Sequence, residues 1–436
     1  MRSLAASWSA AVIVTTRGEQ AAEEVAFVRS CDFYEGHAYP ATYNIELNAS
    51  CGSCETNTGF AAAGEAGLCL RAARAFPAGE VVAWIPESAH IWEPTIPWFL
   101  RHEVAAVCEP QVYEESLLSV ALLVERRDQD SRFKHYIAAL VQITLPKLGN
   151  MVTFADDHLR VLNVTRPDLV GNYQSAMRCI EATLPSVASL REAPPSRGEQ
   201  LWAYGVVKSR ALKVKRRLAL VPVLDLANHG HVPNVELRSL EPDNVTALQS
   251  LEELSSGGEI AISYGPTVTN FELLALHGFV LPKNPHGMVL PFDFNTVYGV
   301  DDQTEDASSD GRVCEEALRS PQLHRAMPLL LDEVPARCLQ ERLFRYYSQH
   351  YTEVGVDTID HKVQAKALEL LGQLCRQILA GYRSVRDTIN RLQQHGQRVN
   401  DWLTLQVAHE AVEDMRLLQT CTEALGKMPR PQKDDL

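Results

Sequence analysis

The feature that most constrains the fold is a change in apolar spacing between Leu218 and Tyr264. Four short β-type runs follow one another there, and turns rich in Asn, Pro and Gly separate them. The segments before and after this region space their apolar residues as helices do. The order of strands, helices, strands and helices predicts an α+β domain with a helical insertion, followed by a helical C-terminal domain.

The first β region is the sequence LCLRAARAFPAGEVVAWIP, Leu68–Pro86. It contains two strand-like runs joined by a turn at Pro77–Gly79, which predicts a hairpin. Helical spacing then dominates residues 101–205, broken by a Pro-rich polar loop at Arg191–Gln200. After about residue 299, a polar segment leads into further helical patterns, so residues 299–436 are predicted to be helical.

Composition narrows the class of partner. The chain has 436 residues, 46% hydrophobic and 22% charged, which is typical of a globular protein. Its formal charge of −14 argues against the broad basic face that binding to nucleic acid requires. The basic run Lys208–Arg217 is local, and a solvated helix face or loop accounts for it. No segment approaches the roughly 18 apolar residues of a membrane span. We therefore expect neither nucleic acid nor membrane as a partner.

The cysteines and the N-terminus bear on location. Ten cysteines are scattered along the chain, and CGSC, Cys51–Cys54, lacks the second pair that a four-ligand zinc site requires. This pattern favours free thiols in a reducing compartment. The first 18 residues contain Arg2 and Arg17 and no acid, a composition that suits an organellar transit peptide. We expect a cytoplasmic protein, with a mitochondrial or plastid location as the alternative.

The stretch VPVLDLANHGHVPN, Val221–Asn234, places an unusual number of polar side chains at the end of a strand. His229 and His231, two positions apart with Asp225 nearby, suggest a metal site, but the chain turns at Gly230 and no third ligand is evident beside the two histidines. A nucleophile elbow, a dinucleotide-binding glycine motif and a P-loop are all absent from the sequence. The alternative is that Asn228 and His229 hold a ligand through backbone groups and one amide. We therefore expect no metal.

Four motifs in this order carry a resemblance to a known family. They are AGLCLRAARAFPAGEVVAWIP, VVKSRALKV, VPVLDLANHGHVPN, and GGEIAISYG followed by NFELLALHGFVLPKNPH. Together they resemble the SET-domain methyltransferases of the Rubisco large-subunit methyltransferase type, a class of non-histone lysine enzymes that includes an actin-histidine enzyme. The resemblance implies a β-rich SET fold with a helical insertion and an all-helical substrate-binding domain. It divides the chain into an N-terminal extension (1–59), two SET parts (60–100 and 206–298), the insertion (101–205) and the helical domain (299–436).

The resemblance also implies an activity and a site. The reaction would be methyl transfer from S-adenosyl-L-methionine to a lysine side chain of a non-histone protein, by a monomer. Tyr264 would be the catalytic tyrosine, Arg210 would pair with the carboxylate of the cofactor, and Phe279 would stack on its adenine. The remaining cofactor-binding residues would be Ala66, Gly67, Leu68, Asp225, Asn228 and His229.

The sequence departs from the family pattern at the target channel. His277 stands where many members have a tyrosine that lines the lysine channel, and Leu212 is the second expected channel residue. Ala211-Leu212 and Thr267-Val268 lack the Asn and Arg of the actin-histidine branch, which favours lysine as the target. A protein-histidine methyltransferase and a catalytically impaired SET-like binding module remain the alternatives.

Overall fold

The computed structural model describes residues 45–48, 69–141, 143–230, 232–241, 244–265, 268–281, 284, 287–290, 329–331, 361–399 and 401–426. The chain divides into two compact units. The first comprises Met1–Ala155, Asp168–Val268 and Glu272–Pro282, and the second comprises Asp156–Pro167, Thr269–Phe271 and Lys283–Leu436.

Short strands form most of the sheet structure of the first unit, as the period change predicts. The strands are β1 (Ile45–Asn48), β2 (Cys69–Ala72), β3 (Val81–Pro86), β4 (Ile91–Trp92), β5 (Leu212–Val214), β6 (Arg217–Leu220), β7 (Asn228–His229), β8 (Val235–Leu240), β9 (Val245–Ser250), β10 (Glu259–Ile262), β11 (Met288–Leu290) and β12 (Leu329–Leu331). They pair in the orders β1-β2-β10-β7, β3-β9-β8, β4-β6-β5 and β11-β12, the last of these in the second unit. β9 is buried at five of its six positions because it lies between two neighbours and both of its faces are covered.

The predicted hairpin at Pro77–Gly79 is wrong. The turn forms, with Gly79 at φ +83°, but β2 pairs with β1 and β10 whereas β3 pairs with β9. Between the two strands, Phe76 forms an isolated bridge with Leu254, and two backbone hydrogen bonds of 2.9 and 2.8 Å join them. A turn signal is local, whereas the residues of β9 and β10 that pair with β3 and β2 lie 159 to 190 positions away, so the turn alone misassigns the sheet.

The helices are α1 (Trp98–Val107), α2 (Tyr113–Arg127), α3 (Lys134–Val141), α4 (Leu145–Leu148), α5 (Asp156–Thr165), α6 (Pro167–Thr183), α7 (Ala188–Arg191), α8 (Arg197–Arg210), α9 (Asn270–His277), α10 (His361–Ser384), α11 (Arg386–Val399) and α12 (Trp402–Gly426). α8 begins at a capping box, in which Ser196 Oγ accepts from Glu199 N–H at 3.2 Å and Ser196 N–H donates to Glu199 Oε2 at 2.9 Å. α8 packs against the buried middle of α2. This packing fixes the position of the C-terminal end of α8, which leads into the functional site.

The basic run Lys208–Arg217 is balanced by acidic partners. Lys208 pairs with Glu115, Lys215 pairs with Glu87 at 2.7 Å and also with Glu241, and Arg217 pairs with Glu93. These contacts neutralise part of the local charge, so the run is not a free basic patch.

The second unit collects helices from distant parts of the sequence. α5 lies within the predicted insertion, yet it packs with α10, α11 and α12. Tyr382 of α10 is fully buried and its hydroxyl donates to Asp414 Oδ2 of α12 at 2.6 Å. His158 Nε2 of α5 lies 2.9 Å from Thr404 Oγ1 of α12. In the described ranges, no helix combines the length and apolarity that crossing a membrane requires.

Among the described residues, two pairs of cysteines are disulfide-bonded, and each pair lies within one unit. Cys108 pairs with Cys179, with Cα atoms 5.1 Å apart, and Cys375 pairs with Cys421, with Cα atoms 6.7 Å apart. The expectation of free thiols is therefore wrong for these four residues. Sequence separations of 71 and 46 residues gave no sign of either pair. Cys51 and Cys54 lie outside the described residues.

Candidate active site

A short parallel pairing positions Tyr264. β7 runs parallel to β10, with Asn228 opposite Ala261 and His229 opposite Ile262. β10 ends two residues before Tyr264, so the tyrosine leaves the sheet beside the polar turn. Its backbone N–H donates to His229 Nδ1 at 3.1 Å, and its hydroxyl donates to the carbonyl of Ala227 at 3.0 Å. Both ends of Tyr264 are thus tied to the stretch that follows β6.

Polar side chains hold this pairing together. Asn228 Nδ2 donates to Glu259 Oε1 at 2.9 Å. Asn234 Nδ2 donates to the Glu259 carbonyl at 2.8 Å, and its Oδ1 accepts from Ala261 N–H at 2.9 Å. A Cβ on Gly230 would lie 2.8 Å from the Cβ of Ala261, so a larger residue would push the turn from the strand. The polar residues of this stretch therefore build the turn, and His231 lies outside the described residues.

Asp225 is a buried carboxylate beside Arg210. Tyr136 Oη donates to Asp225 Oδ2 at 2.5 Å, while Oδ1 is buried without a hydrogen-bond partner in the part of the chain that the structure describes. Arg210 Nη1 donates to the backbone carbonyl of Asp225 at 3.3 Å. Burial raises the pKa of Asp225 to about 6, and the charge of Arg210 limits the rise. The unpartnered oxygen is a ready acceptor for a donor from a ligand.

The aromatic rings of His277 and Phe279 lie beside the ring of Tyr264. The ring of Tyr264 lies 4.4 Å from that of His277 and 6.3 Å from that of Phe279, measured between centroids. His277 Nδ1 lies 3.1 Å from the carbonyl oxygen of Ser209. Burial raises the pKa of Tyr264 to about 12, with Arg210 opposing the rise. Burial also lowers the pKa of His277 to about 4, so both rings are neutral near pH 7.

A buried asparagine joins the two helices that carry these groups. Asn150 Nδ2 donates to the carbonyl of Gly205 in α8 at 3.0 Å and to that of Leu276 in α9 at 3.1 Å. Asn150 itself is 1% exposed. Because one amide bridges both helices, the separation between Arg210 and His277 is fixed from behind the site.

These groups surround one cavity of about 180 Å³ in the first unit. Its walls are formed by Ile143, Lys147, Leu148, Ser209, Arg210, Asp225, Leu226, Asn228, Tyr264, His277 and Phe279. Six of these residues were predicted from the sequence: Arg210, Asp225, Asn228, Tyr264, His277 and Phe279.

Of the other predicted site residues, His229 and Leu212 are described, and neither lines the cavity. His229 is buried behind Tyr264 and does not line the cavity. Leu212 lies in β5, paired with Ala219, and is not among the lining residues either. Ala66, Gly67 and Leu68 fall outside the described residues.

Sequence reasoning missed Tyr136, Asn150 and Ser209. The motif around Arg210 contains Ser209, but Ser209 acts through its carbonyl, which no side-chain pattern reveals. Tyr136 fitted the apolar face of a predicted helix, so its hydroxyl gave no separate signal. Only the folded chain brings it to Asp225, 89 residues away.

The residues fit a ligand with a carboxylate, an amine and an aromatic ring, as S-adenosyl-L-methionine has. The guanidinium of Arg210 suits a carboxylate, and the unpartnered Oδ1 of Asp225 suits an N–H donor. Phe279 offers an aromatic face at the same cavity. Among the described residues, no group of three or more His, Cys, Asp or Glu side chains is arranged to hold a metal ion.

Comparison with curated proteins finds several distant relatives. The chain is 24% identical over 363 residues to the chloroplastic Rubisco large subunit N-methyltransferase of Pisum sativum, covering 75% of this chain and 70% of that protein. It is 26% identical over 250 residues to SET domain-containing protein 4 of Artemia parthenogenetica, covering 52% and 59%. The chloroplastic fructose-bisphosphate aldolase-lysine N-methyltransferase of Arabidopsis thaliana is 27% identical, covering 50% and 47%. The chain thus spans less than two thirds of the last two proteins. No family model matches the chain.

Solved structures give the fold. The SET domain of LSMT bound to lysine and AdoHcy superposes with a TM-score of 0.56 at 17% identity, covering 94% of this chain and 92% of that chain. Rubisco LSMT bound to AdoMet gives a TM-score of 0.55.

The fold is thus that of the SET-domain methyltransferases, and the α+β expectation is confirmed. The sequence is similar to Rubisco large subunit N-methyltransferase and to SET domain-containing protein 4, which agrees with the resemblance that the four motifs carry.

Proposed function

We propose that this chain is an S-adenosyl-L-methionine-dependent protein N-methyltransferase that modifies a lysine of a non-histone protein. The observation that carries the proposal is the convergence of Arg210, Asp225, Asn228, Tyr264 and Phe279 on one cavity. These residues come from three of the four motifs, and the resemblance assigns each to the same site. The pea relative is named as a methyltransferase of the Rubisco large subunit, and the Arabidopsis relative as an aldolase-lysine methyltransferase; both names support the same reaction.

The cofactor supplies, when bound, a methyl group on a positively charged sulfur. Arg210 and Asp225 would hold its charged end, Asn228 its amine and adenine with help from the neighbouring backbone, and Phe279 its adenine ring. His229 would contribute from behind the cavity by fixing the backbone of Tyr264, whose N–H it accepts. Ala66, Gly67 and Leu68 would complete the cofactor site.

Tyr264 would orient the target nitrogen without taking its proton. Its hydroxyl hydrogen points to Ala227, which leaves the oxygen lone pairs toward other groups. With a pKa of about 12, the phenol stays protonated near neutral pH and is no general base. A lysine with an ordinary pKa of about 10.4 needs about 4.6 kcal/mol to lose its proton at pH 7. A dry cavity lowers that cost because burial disfavours the ammonium, and water outside the cavity accepts the proton.

The test is transfer of labelled methyl from S-adenosyl-L-methionine to proteins of a cell extract. We expect the wild type to label a protein, and Tyr264→Phe to lose about 10²-fold or more of the rate, because positioning at the reacting nitrogen is lost. Tyr113→Phe removes a hydroxyl at the start of α2, away from the cavity, and is the matched control. An inactive wild type with every extract fraction would refute the proposal.

Mass spectrometry of the labelled peptide identifies the modified residue. We expect a methylated lysine, and a methylated histidine would instead support the alternative of a protein-histidine methyltransferase. Labelling by the Tyr264→Phe variant at the wild-type rate would remove the tyrosine from the mechanism while leaving the methyltransfer itself in place.

The proposal extends to partners and location. The chain would act as a monomer on a protein, and the acidic partners of Lys208, Lys215 and Arg217 support the absence of a nucleic-acid surface. Two relatives are named as chloroplast proteins, and the acid-free N-terminus suits import. Import of labelled full-length chain into isolated organelles, set against retention in the cytoplasm, decides between the two locations.

A further inference from the structure

His277 occupies a rigid place at the cavity wall. It ends α9, and the next residue, Gly278, has φ +80°. A Cβ on Gly278 would lie 2.3 Å from the carbonyl oxygen of Leu148, so the backbones of the two segments are in direct contact. Asn150 fixes the same turn of helix through the carbonyl of Leu276. The imidazole is therefore carried on backbone that has little freedom to shift.

The contact with Ser209 selects one tautomer of the ring. A carbonyl oxygen can only accept a hydrogen bond, so the Nδ1 of His277 that lies 3.1 Å from it must carry the proton. In the neutral ring, Nε2 then holds a lone pair and no hydrogen. Within the described residues, Nε2 of His277 has no protein hydrogen-bond partner.

The surroundings keep the ring neutral. Burial is the main reason that the pKa of His277 falls to about 4, the hydrogen bond from Nδ1 to Ser209 opposes the fall, and Lys208 and His229 add to it. The neighbouring ring of Tyr264 is neutral as well. No anion among the described cavity groups contacts the imidazole; Asp225 lies on the same cavity but bonds to Tyr136. The Nε2 lone pair is thus present throughout the neutral pH range.

We infer that Nε2 of His277 accepts a hydrogen bond from the target nitrogen, and that this acceptor selects an amine over an imidazole as the target. The amine of a lysine carries N–H bonds on the reacting nitrogen itself, whether charged or neutral. The reacting nitrogen of a neutral histidine carries only a lone pair, and its N–H lies on the other ring nitrogen, directed away. An acceptor at this wall therefore forms a hydrogen bond with the reacting nitrogen of a lysine and forms none with that of a histidine. This inference rests on the proposed function, because it concerns the same cavity.

Binding of two small probes to the full-length protein saturated with S-adenosylhomocysteine tests the inference. The probes are Nα-acetyl-L-lysine amide and Nα-acetyl-L-histidine amide, measured by calorimetry or ligand-detected NMR at pH 8. The variants are His277→Phe, which keeps an aromatic ring without an acceptor, and His277→Gln, whose amide oxygen reaches about as far as Nε2. We expect His277→Phe to bind the lysine probe about tenfold or more weakly, with no change for the histidine probe. His277→Gln should recover much of the loss.

A spectroscopic readout checks the tautomer independently. Nitrogen-15 labelling of the histidines, with the His277 signals identified by their absence in His277→Phe, should show a protonated Nδ1 and a bare Nε2 between pH 5.5 and 8. Addition of the lysine probe should shift the Nε2 resonance and leave Nδ1 in place.

The outcomes separate the two proposals. Failure of the wild type to bind S-adenosylhomocysteine would refute the proposed function itself. If cofactor binding is intact, the role of His277 alone is overturned by any of four results. These are an equal loss of affinity for both probes, no loss for either probe, no binding of the lysine probe to the wild type, or a protonated Nε2.

Discussion

Replacing Asp225 by asparagine tests whether the cavity holds a carboxylate at the expense of stability. Asp225 is 6% exposed, one of its oxygens has no partner among the described groups, and its side chain faces the cavity. Asparagine has the same shape and its oxygen can still accept from Tyr136. The variant therefore removes the buried charge and little else, and we expect the free protein to become more stable at neutral pH.

The magnitude follows from the pKa. The pKa of Asp225 rises from 3.8 to about 6 on folding, mainly through burial. The folded state therefore holds the proton more tightly than the unfolded state, and stability falls as pH rises from about 4 through about 6. A rise of about two units corresponds to about 3 kcal/mol of lost stability at pH 7.5. Because the rise already includes the attraction of Arg210, we expect a gain of about 1–3 kcal/mol for Asp225→Asn.

The assay is urea unfolding without ligand at several pH values from 4 to 7.5, followed by fluorescence of buried tryptophans such as Trp92 and Trp202 in the first unit. The gain in the free energy of unfolding should be near zero at pH 4 and reach its full size above pH 6. Asp130→Asn, at an exposed position, is the control and should change nothing. The same Asp225→Asn protein should bind S-adenosylhomocysteine more weakly.

The reasoning fails if Asp225→Asn is less stable than the wild type at pH 7.5. It also fails if the stability difference between the two proteins does not change between pH 4 and pH 7.5. Either result would mean that the carboxylate is satisfied in the folded protein and that burial imposes no penalty on it.

Two further predictions concern the site backbone and the second unit. Gly278→Ala should lower the free energy of unfolding by roughly 2–4 kcal/mol, because the cost of a left-handed φ and the cost of a clash with Leu148 add up. Gly79→Ala is the control, because Gly79 has a similar φ but open space around it, and it should lower the free energy of unfolding by only about 1 kcal/mol. Equal losses for the two variants would refute the clash. Burial, then Asp414, raises the pKa of Glu410 to about 8, so hydrogen exchange in α12 should report about 2–3 kcal/mol less stability at pH 9 than at pH 6. Glu410→Gln should remove the larger part of that dependence and leave the smaller part that comes from Asp414, whose pKa burial raises to about 7. Glu413→Gln, at a more exposed position, should keep the full dependence; a wild type with no pH dependence would contradict the assignment.

Local patterns predicted much of the site. The switch to β-type runs and the polar turn at Asn228 lie within one continuous stretch, and Tyr264 follows β10, the last strand of that stretch. Six predicted residues line one cavity because each motif fixes its own turn or helix end, and the fold brings those ends together. The spacing of residues within each motif is therefore sufficient to predict these six residues of the cavity.

The parts that sequence could not supply depend on distant partners. Tyr136 bonds to Asp225 across 89 residues, and Asn150 bonds to Leu276 across 126 residues. Neither contact alters the local spacing of apolar residues, so each residue resembled an ordinary helix or loop position. The predicted hairpin failed for the same reason, since the turn at Gly79 joins strands whose partners lie elsewhere in the chain.

The position of α5 has a consequence for dividing the protein experimentally. The chain passes between the two units five times, and α5 belongs to the unit otherwise made mainly of residues after Lys283. No single cut can therefore separate the units as intact pieces. A fragment that stops near residue 299 would retain α5 without the helices that cover buried Val161 and Leu162. Insolubility of such a fragment would reflect that exposed apolar helix, and its inactivity would say nothing about the chemistry of the cavity.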